Sequence, residues 1–202
     1  MPEPELREED VDPDPLRQFG VWFQEASAAL PAPEAMALAT ATATGRPSLR
    51  MVLMKEYDER GFAFYTNYES RKGLELNDNP QAALLFYWAG LGRQVRIEGD
   101  ATRTSAEESA AYVRTRPRAS QLSALASPQT RPVESRAALE QRVAQIAGRY
   151  EGSELPLPDA WGGFRLVPER YEFWQQRRDR FHDRLVYTPG INGRWTLTRL
   201  AP

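Results

Sequence analysis

The 202-residue sequence contains no cysteine and a single histidine, His182. Without cysteine there are no disulfides, zinc–thiolate sites, iron–sulfur clusters or thiol nucleophiles. A single histidine excludes metal sites built from two or three histidines, and we expect no metal centre. The longest apolar run, residues 82–89, is far shorter than the ~20 residues that span a bilayer. The acidic N-terminus has no apolar segment of the kind found in secretory signals. We therefore expect a cytoplasmic protein that has no membrane partner.

Lysine is scarce as well, since only Lys55 and Lys72 occur among the 26 basic residues. GC-rich coding explains the excess of arginine, but it does not explain why two lysines are retained. An ammonium group is a compact point charge and a guanidinium group is a planar fork, so the two are not interchangeable at a tight phosphate site. Both lysines are therefore candidates for anion binding.

Acidic residues are concentrated at the N-terminus, where residues 1–14 hold seven acids against one arginine. Three prolines and the lack of any apolar period predict a disordered acidic tail over residues 1–13. The chain length allows one domain over residues 14–202. Without its tail the chain is mildly basic, which suits small anionic ligands better than nucleic acid. We expect no nucleic-acid partner.

Hydrophobic periodicity and turn residues predict more strands than helices. Helices are expected over residues 14–30, 70–79, 105–116 and 135–150, from their capping residues and from the prolines that end them. Strands are expected over residues 36–42, 48–56, 62–67, 82–88, 93–104, 163–167, 171–175, 182–187 and 194–199. Because these strands follow one another without alternating helices, the sequence predicts a mainly β fold with peripheral α-helices. No glycine-rich phosphate loop follows a strand, so neither a Rossmann site nor a P-loop is supported.

Two groups of residues have the spacing of anion sites. Arg180, His182 and Arg184 would share one face of a strand, and such cations repel one another unless an anion lies among them. Tyr112 and Arg116 lie four residues apart on one predicted helix face, and both are good phosphate donors. Ordinary surface decoration is the alternative for each group.

Two further groups concern the lysines. Lys72 belongs to a Ser-Arg-Lys sequence at a predicted helix N-terminus, where free backbone N–H groups favour anions. Arg50 and Lys55 lie five residues apart and so point to opposite faces of one strand, which requires two ligands or a bulge. Together the four groups predict two phosphate-bearing ligands, and they name no reaction.

Several motifs resemble the pyridoxamine/pyridoxine 5′-phosphate oxidase family. They are RMVLMK at 50–55, FYTN at 64–67, SRK at 70–72, RQV at 93–95, RPRASQ at 116–121, YEFWQ at 171–175, RFHDR at 180–184 and RLAP at 199–202. The resemblance covers residues 16–202 in order. It implies a homodimeric FMN-binding split β-barrel with FMN at the subunit interface. It also implies oxidation of pyridoxamine 5′-phosphate or pyridoxine 5′-phosphate to pyridoxal 5′-phosphate by O2, with H2O2 as product, in vitamin B6 biosynthesis and salvage.

The resemblance also implies site residues. The FMN site would comprise Arg50, Met51, Val52, Leu53, Lys55, Tyr65, Thr66, Arg71, Lys72, Gln94, Gln129, Thr130, Trp174 and Arg184. The substrate would meet Lys55, Tyr112, Arg116, Ser120, Arg180 and His182. Arg180 and His182 would be the catalytic residues, Arg180 orienting the pyridine ring and His182 fixing the substrate. Flanking arginines disfavour a cationic histidine, so we rank positioning above general-base catalysis for His182.

The sequence departs from the family pattern at a few places. Phe181 replaces an aliphatic residue and Thr130 a serine, residues 176–179 are bulkier and more charged, and no basic N-terminal segment precedes the domain. Two alternatives stay open. One is a related flavin oxidase of phenazine-type biosynthesis, which acts on a phosphate-free substrate. The other is a non-catalytic FMN- or pyridoxal-phosphate-binding protein on the same scaffold.

Overall fold

The computed structural model describes residues 5–202. In this part of the chain nine strands form one antiparallel sheet, with five α-helices around it. The helices are α1 (Pro15–Ala29), α2 (Arg71–Asp78), α3 (Ala106–Thr115), α4 (Arg118–Ala126) and α5 (Arg136–Arg149). The strands are β1 (Ala35–Ala41), β2 (Pro47–Leu53), β3 (Glu56–Asp58), β4 (Gly61–Asn67), β5 (Gln81–Trp88), β6 (Arg93–Arg103), β7 (Trp161–Gln175), β8 (Asp183–Pro189) and β9 (Trp195–Arg199). The sequence did not predict α4. No helix in residues 5–202 is long and apolar enough to cross a membrane.

The sheet runs in the order β2-β1-β5-β6-β7-β4-β3, and β8 and β9 extend it from β7. The sheet curls until β2 contacts β4, which produces a partly closed barrel. Its interior holds buried apolar side chains such as Leu38, Phe64, Phe86 and Ile97. Helix α1 covers this interior. Asp14 caps the helix through a hydrogen bond from the Leu16 N–H, and the buried Phe19 ring meets Phe62 edge to face at 4.9 Å.

The outer face of the barrel carries an apolar surface around β2, β1 and β5. On β2 the residues alternate, and Leu49, Met51 and Leu53 point outward with 69, 65 and 43% of their surface exposed. Their β1 neighbours are alanines, and Tyr87 on β5 is 60% exposed. Such a contiguous exposed apolar patch is typical of an interaction site. We call it the outer apolar face.

Strand β7 is continuous where the sequence predicted two strands separated at Pro168. The predicted break between 167 and 171 is therefore wrong. Pairing with β6 persists across it, because the register shifts at Glu98/Gly99 and Pro168 lies opposite Gly99. A Cβ at Gly99 would stand 2.0 Å from the Val167 carbonyl oxygen, so only glycine lets the two backbones approach there. One 15-residue strand thus links both ends of the barrel.

The N-terminal segment differs from the predicted disordered tail. Residues 1–4 lie outside the described residues, but residues 5–13 pack against the barrel. Leu6 is buried and joins the core, and the Tyr187 hydroxyl donates to the Asp12 carbonyl at 2.7 Å. One buried leucine and partners on β8 and β9 suffice to order a segment whose composition alone indicates disorder.

Candidate functional site

A cleft of about 460 Å³ opens at one end of the barrel. Its walls come from β2 and the residues after it, from β4, from the N-terminus of α2, from α3 and α4, and from the loop before α5. The lining residues are Met51, Val52, Leu53, Lys55, Tyr65, Thr66, Lys72, Tyr112, Arg116, Pro117, Ser120, Gln129 and Trp161. The cleft therefore brings together four of the six residues predicted to meet the substrate, Lys55, Tyr112, Arg116 and Ser120, and most of those predicted for FMN.

Three aromatic rings form one wall of the cleft. Tyr65 on β4 stacks on Tyr112 of α3 with ring centroids 3.9 Å apart, and the Trp161 ring lies nearly parallel to both, 5.8 Å from Tyr65 and 6.1 Å from Tyr112. Burial raises the pKa of Tyr65 to about 12, so its hydroxyl stays protonated. Sequence reasoning missed Trp161, since it follows a proline-rich link and begins a strand, and no motif marked it.

The cleft is cationic. Lys55, Lys72 and Arg116 line it, and none of the described lining residues is acidic. Pro117 disfavours helical backbone at Arg116, which adopts an extended conformation and caps α3. The Arg116 guanidinium lies 4.9 Å from the Trp161 ring centroid. Its Nη1 atom is buried and has no hydrogen-bond partner in the protein, which in a native structure calls for a ligand or water.

Buried Arg165 on β7 holds helix α3 in place. It forms ion pairs with Glu56 at 2.9 Å and Asp58 at 3.1 Å, and with Glu108 in the first turn of α3. The α3 N-terminus is thereby attached to β3 and β7, one turn before Tyr112.

Lys72 is held by neutral acceptors at the N-terminus of α2. Its Nζ donates to Thr66 Oγ1 at 3.0 Å, to Gln129 Oε1 at 2.9 Å and to Ser70 Oγ at 3.3 Å. Ser70 also caps α2 by accepting from the Gly73 N–H. Burial, together with the nearby Arg50 charge, lowers the pKa of Lys72 to about 8. A bound anion would restore the charged form.

Arg50 and Arg71, two further cations predicted for the FMN site, are held by Glu75. Arg71 Nε donates to Glu75 Oε1 at 2.9 Å, and Arg50 Nη2 lies 3.3 Å from Glu75 Oε2. Burial would raise the pKa of Glu75, but hydrogen bonds from Ser48, Thr40 and Arg71 outweigh it and lower the pKa to about 2. Arg71 and Thr130 line a neighbouring cavity of about 510 Å³ instead of the cleft. Gln129 borders both spaces.

A second group of predicted site residues lies elsewhere on the chain. Gln94 on β6 pairs with Trp174 on β7, and Trp174 pairs with Arg184 on β8, so their side chains point to the same outer face of the sheet. Arg184 Nε donates to buried Glu172 at 2.8 Å. The His182 ring lies 4.6 Å from the Trp174 ring. We call Gln94, Trp174, Arg180, His182 and Arg184 together the β8 cluster.

The expectation that Arg180 shares a strand face with His182 and Arg184 is wrong. Strand β8 begins only at Asp183, and Arg180 lies in a short 3₁₀ turn with φ 62°. The preceding Asp179 also has positive φ, at 56°. Two such residues in succession turn the chain sharply before His182. The His182 Nδ1 atom accepts a hydrogen bond from the Arg177 N–H at 3.1 Å, so a neutral ring carries its proton on Nε2 and presents it as a donor.

A single chain does not bring the cleft and the β8 cluster together. Met51 at the cleft lies on β2 and Trp174 lies on β7, four strands away in the sheet order, which is roughly 19 Å measured along the curled sheet. On the other side of the cleft, Tyr65 pairs with Gly163, eleven residues before Trp174 on the same strand. Both groups nevertheless border the outer apolar face, the cleft through Met51 and Leu53 and the β8 cluster through Gln94 beside Tyr87.

Comparison with known proteins identifies two family regions. Residues 23–150 match the family described as Pyridoxamine 5′-phosphate oxidase, and residues 161–202 match the Pyridoxine 5′-phosphate oxidase C-terminal dimerisation region. The pyridoxine/pyridoxamine 5′-phosphate oxidase of Rubrobacter xylanophilus is 59% identical over 98% of this chain and 91% of its own length. That of Paraburkholderia phymatum is 57% identical over 96% of this chain and 91% of its own.

Solved structures share the fold. PhzG from Burkholderia lata, crystallised with tetrahydrophenazine-1-carboxylic acid, superposes with a TM-score of 0.91 at 34% identity and covers 98% of both chains. A pyridoxamine 5′-phosphate oxidase-related FMN binding protein from Nostoc punctiforme gives a TM-score of 0.72 at 19% identity over 94% of this chain and 98% of its own. The predicted fold class, a mainly β split barrel with peripheral helices, is confirmed.

Proposed function

Because this chain belongs to the pyridoxamine 5′-phosphate oxidase family, we propose that it is an FMN-dependent oxidase of vitamin B6 biosynthesis and salvage. It converts pyridoxine 5′-phosphate or pyridoxamine 5′-phosphate to pyridoxal 5′-phosphate and acts in the cytoplasm. The alcohol and O2 yield the aldehyde and H2O2, and the amine additionally consumes water and releases ammonia. The observation that carries the proposal is the acid-free cleft with three cations and an unpartnered Arg116 Nη1 atom.

The substrate phosphate is bound by Lys55, Tyr112, Arg116 and Ser120. All four line the cleft and supply an ammonium, a guanidinium and two hydroxyl donors, which match the acceptor oxygens of a phosphate dianion. The unpartnered Arg116 Nη1 atom supports this assignment, since an anion would satisfy it. The stacked Tyr65, Tyr112 and Trp161 rings make the adjoining wall flat and apolar, which suits a planar heterocycle.

The FMN phosphate is bound by Lys72 at the N-terminus of α2, where backbone N–H groups and the helix dipole also favour an anion. Thr66 and Gln129 hold the Lys72 ammonium in place. Arg50 and Arg71 stand behind it, oriented by Glu75, and add positive potential. The residues present therefore fit the group. When bound, FMN supplies the two-electron acceptor that O2 regenerates.

The complete site requires two copies of the chain. A second copy that packs its own outer apolar face against this one by two-fold symmetry would bring its β8 cluster to this chain's cleft. In such an interface both subunits use the same surface, so the contact between one chain's cleft and the other chain's β8 cluster occurs twice. The exposed Leu49, Met51 and Tyr87 side chains and the match of residues 161–202 to a dimerisation region support this homodimer. Trp174, Arg184 and Gln94 then complete the flavin site, and Arg180 and His182 meet the substrate.

Within that site the protein positions the substrate. His182 donates from Nε2, since its Nδ1 is already an acceptor for the Arg177 N–H. Arg180, in its left-handed turn, orients the pyridine ring. The aromatic wall and the partner's surface exclude water from the carbon that is oxidised.

The test is the visible spectrum of the FMN-loaded protein mixed anaerobically with pyridoxine 5′-phosphate. Bleaching of the oxidised flavin, with recovery and peroxide on admission of air, is the expected result. Arg116→Gln should raise the KM for pyridoxine 5′-phosphate. Arg114→Gln, which changes an exposed arginine in the last turn of α3, should not. Flavin binding without bleaching by either vitamer phosphate would refute the proposal. It would favour a phosphate-free substrate of the kind bound in PhzG, or a carrier role.

A further inference from the structure

The N-terminal strap, residues 6–12, reaches the strand that carries part of the β8 cluster. Leu6 is buried in the core, and its N–H donates to Asp183 Oδ2 at 3.2 Å. At its other end, the Asp12 carbonyl accepts from the Tyr187 hydroxyl. The strap therefore forms hydrogen bonds with two residues of β8, Asp183 at the start of the strand and Tyr187.

Arg199 on β9 connects the strap to the same aspartate. Its Nε and Nη2 atoms donate to the two oxygens of Glu8, each at 2.8 Å, and Nη2 also donates to the Leu6 carbonyl at 2.7 Å. Its Nη1 atom donates to Asp183 Oδ1 at 2.7 Å. Both carboxylate oxygens of Asp183 are thus bound, one by the strap itself and one by the arginine that the strap holds.

Asp183 lies between His182 and Arg184. Arg184 is fixed on its far side by Glu172 and by the Ala201 carbonyl, which accepts from its Nη1 at 3.0 Å. The polypeptide before Asp183 follows a turn with two left-handed residues. The Gln176 N–H donates to the Gly92 carbonyl at 2.7 Å. Arg177 links His182 to Asp183, since its N–H donates to His182 Nδ1 and its Nε atom lies 3.7 Å from Asp183 Oδ2. Asp183 therefore helps to place His182, both as its neighbour in the chain and through Arg177.

We propose that Glu8 and Arg199 are positioning residues for the oxidase reaction: through Asp183 they fix the start of β8 and so set where His182 and Arg184 meet the substrate and FMN. This inference rests on the proposed function. The acidic N-terminal segment thereby acquires a role at the active site. Its Glu8 carboxylate stays ionised at neutral pH, since the hydrogen bond from Arg199 lowers its pKa to about 2.

A purely structural role for the Glu8–Arg199 pair makes a different prediction. Both side chains are partly exposed, at 50 and 38%, and exposed ion pairs contribute little to global stability. If the pair is purely structural, breaking it should therefore change the melting temperature slightly and leave KM and the FMN dissociation constant unchanged. A positioning role changes the binding of substrate and FMN at nearly constant melting temperature.

The experiment compares Glu8→Gln with Glu9→Gln in the full-length, FMN-loaded protein. Both residues lie in the same short 3₁₀ turn, and Glu9 is an exposed neighbour that lies 3.8 Å from Arg7 and makes no ion pair with β8 or β9 in the described part of the chain. Steady-state kinetics with pyridoxine 5′-phosphate, the FMN dissociation constant and the melting temperature are measured for each. We expect Glu8→Gln to raise KM and the FMN dissociation constant roughly 3- to 10-fold, and Glu9→Gln to match the wild type in all three quantities.

A double-mutant comparison shows whether the effect of Glu8→Gln on KM and FMN binding passes through Asp183. In an Asp183→Asn background, Glu8→Gln should cause little further change, since the linking carboxylate is already lost. If Glu8→Gln and Glu9→Gln have identical kinetics and identical FMN binding, the inference about the strap is overturned. The proposed function still holds in that case, provided that the wild type is active. A wild type that binds FMN without turnover refutes the proposed function, and the FMN dissociation constants then decide the strap's role alone.

Discussion

At the scale of single residues, the candidate site is set by which polar groups lack a partner of opposite charge. Lys72 is surrounded by two hydroxyls and one amide oxygen, and Arg116 has a buried Nη1 atom without a partner. Arg50 and Arg71, by contrast, are already paired with Glu75. The sequence marked all four as cations, but it did not distinguish those aimed into the cleft from those held behind it.

If Lys72 binds the FMN phosphate as proposed, we expect FMN binding to depend on pH. In the free protein burial lowers its pKa to about 8, and a bound phosphate dianion favours the ammonium form and raises that pKa. Binding therefore takes up a proton above about pH 8, and FMN affinity should fall as pH rises from there. Fluorescence titration of FMN across this range measures the slope.

The matched variants for this prediction are Lys72→Arg and Lys72→Met. Arginine stays charged at all these pH values, so Lys72→Arg should lose the pH dependence above about pH 8 while it retains positive charge. Lys72→Met should bind FMN weakly and without that slope. An unchanged slope in Lys72→Met would show that another group is responsible.

His182→Ala should raise KM for pyridoxine 5′-phosphate more than it lowers kcat. With Nδ1 occupied by the Arg177 N–H, the ring offers a donor to the substrate and no free basic nitrogen, so its loss weakens binding in the ground state and the transition state alike. Steady-state kinetics check this, with His182→Gln as a variant that keeps a donor. A large fall in kcat at constant KM would instead identify His182 as a general base.

At the scale of elements, capping residues correctly predicted where helices begin, and the alternation of apolar and polar residues correctly predicted most strands. Asp14, Ser70, Ser105 and Ser135 each cap a helix as expected. Errors occurred where long-range pairing overrides local signals: Pro168 does not end β7, because a register shift opposite Gly99 accommodates it. Residue parity failed for Arg180, because Arg180 lies before the strand, in a turn with positive φ, and strand alternation does not apply there.

Two glycines in helices provide a matched test of how α2 is placed. At Gly73 of α2 a Cβ would stand 2.4 Å from the Tyr68 carbonyl oxygen, whereas at Gly148 of α5 it would meet nothing within 4 Å. Gly73→Ala should therefore destabilise by roughly 1–3 kcal/mol and weaken FMN binding, since α2 carries Lys72. Gly148→Ala should stabilise by about 0.4–1 kcal/mol. Denaturant unfolding measures both, and equal effects of the two substitutions would contradict the close packing of α2.

At the scale of the whole molecule, the motifs predicted residues for the site but not their arrangement. Lys55 and His182 belong to one family pattern, yet one chain holds them at different ends of the sheet. Only the sheet order shows that the two groups lie strands apart and that both border the outer apolar face. The resemblance alone supplied the expectation of a dimer, because the sequence does not show that the outward-facing Leu49, Met51 and Leu53 of β2 stay uncovered by the rest of the chain.

A composite site predicts that two inactive variants can restore each other. Lys55→Ala damages the cleft and His182→Ala damages the β8 cluster, so a mixed dimer has one site with both defects and one site with neither. With random pairing of equal amounts, half of the dimers are mixed and each carries one intact site of two, so co-expression should recover about one quarter of wild-type activity. Lys55→Ala with Arg116→Gln is the control, because both changes damage the cleft and no mixed dimer has an intact site. Activity no higher than that of the separate variants would place the cleft and the β8 cluster of each site on one chain.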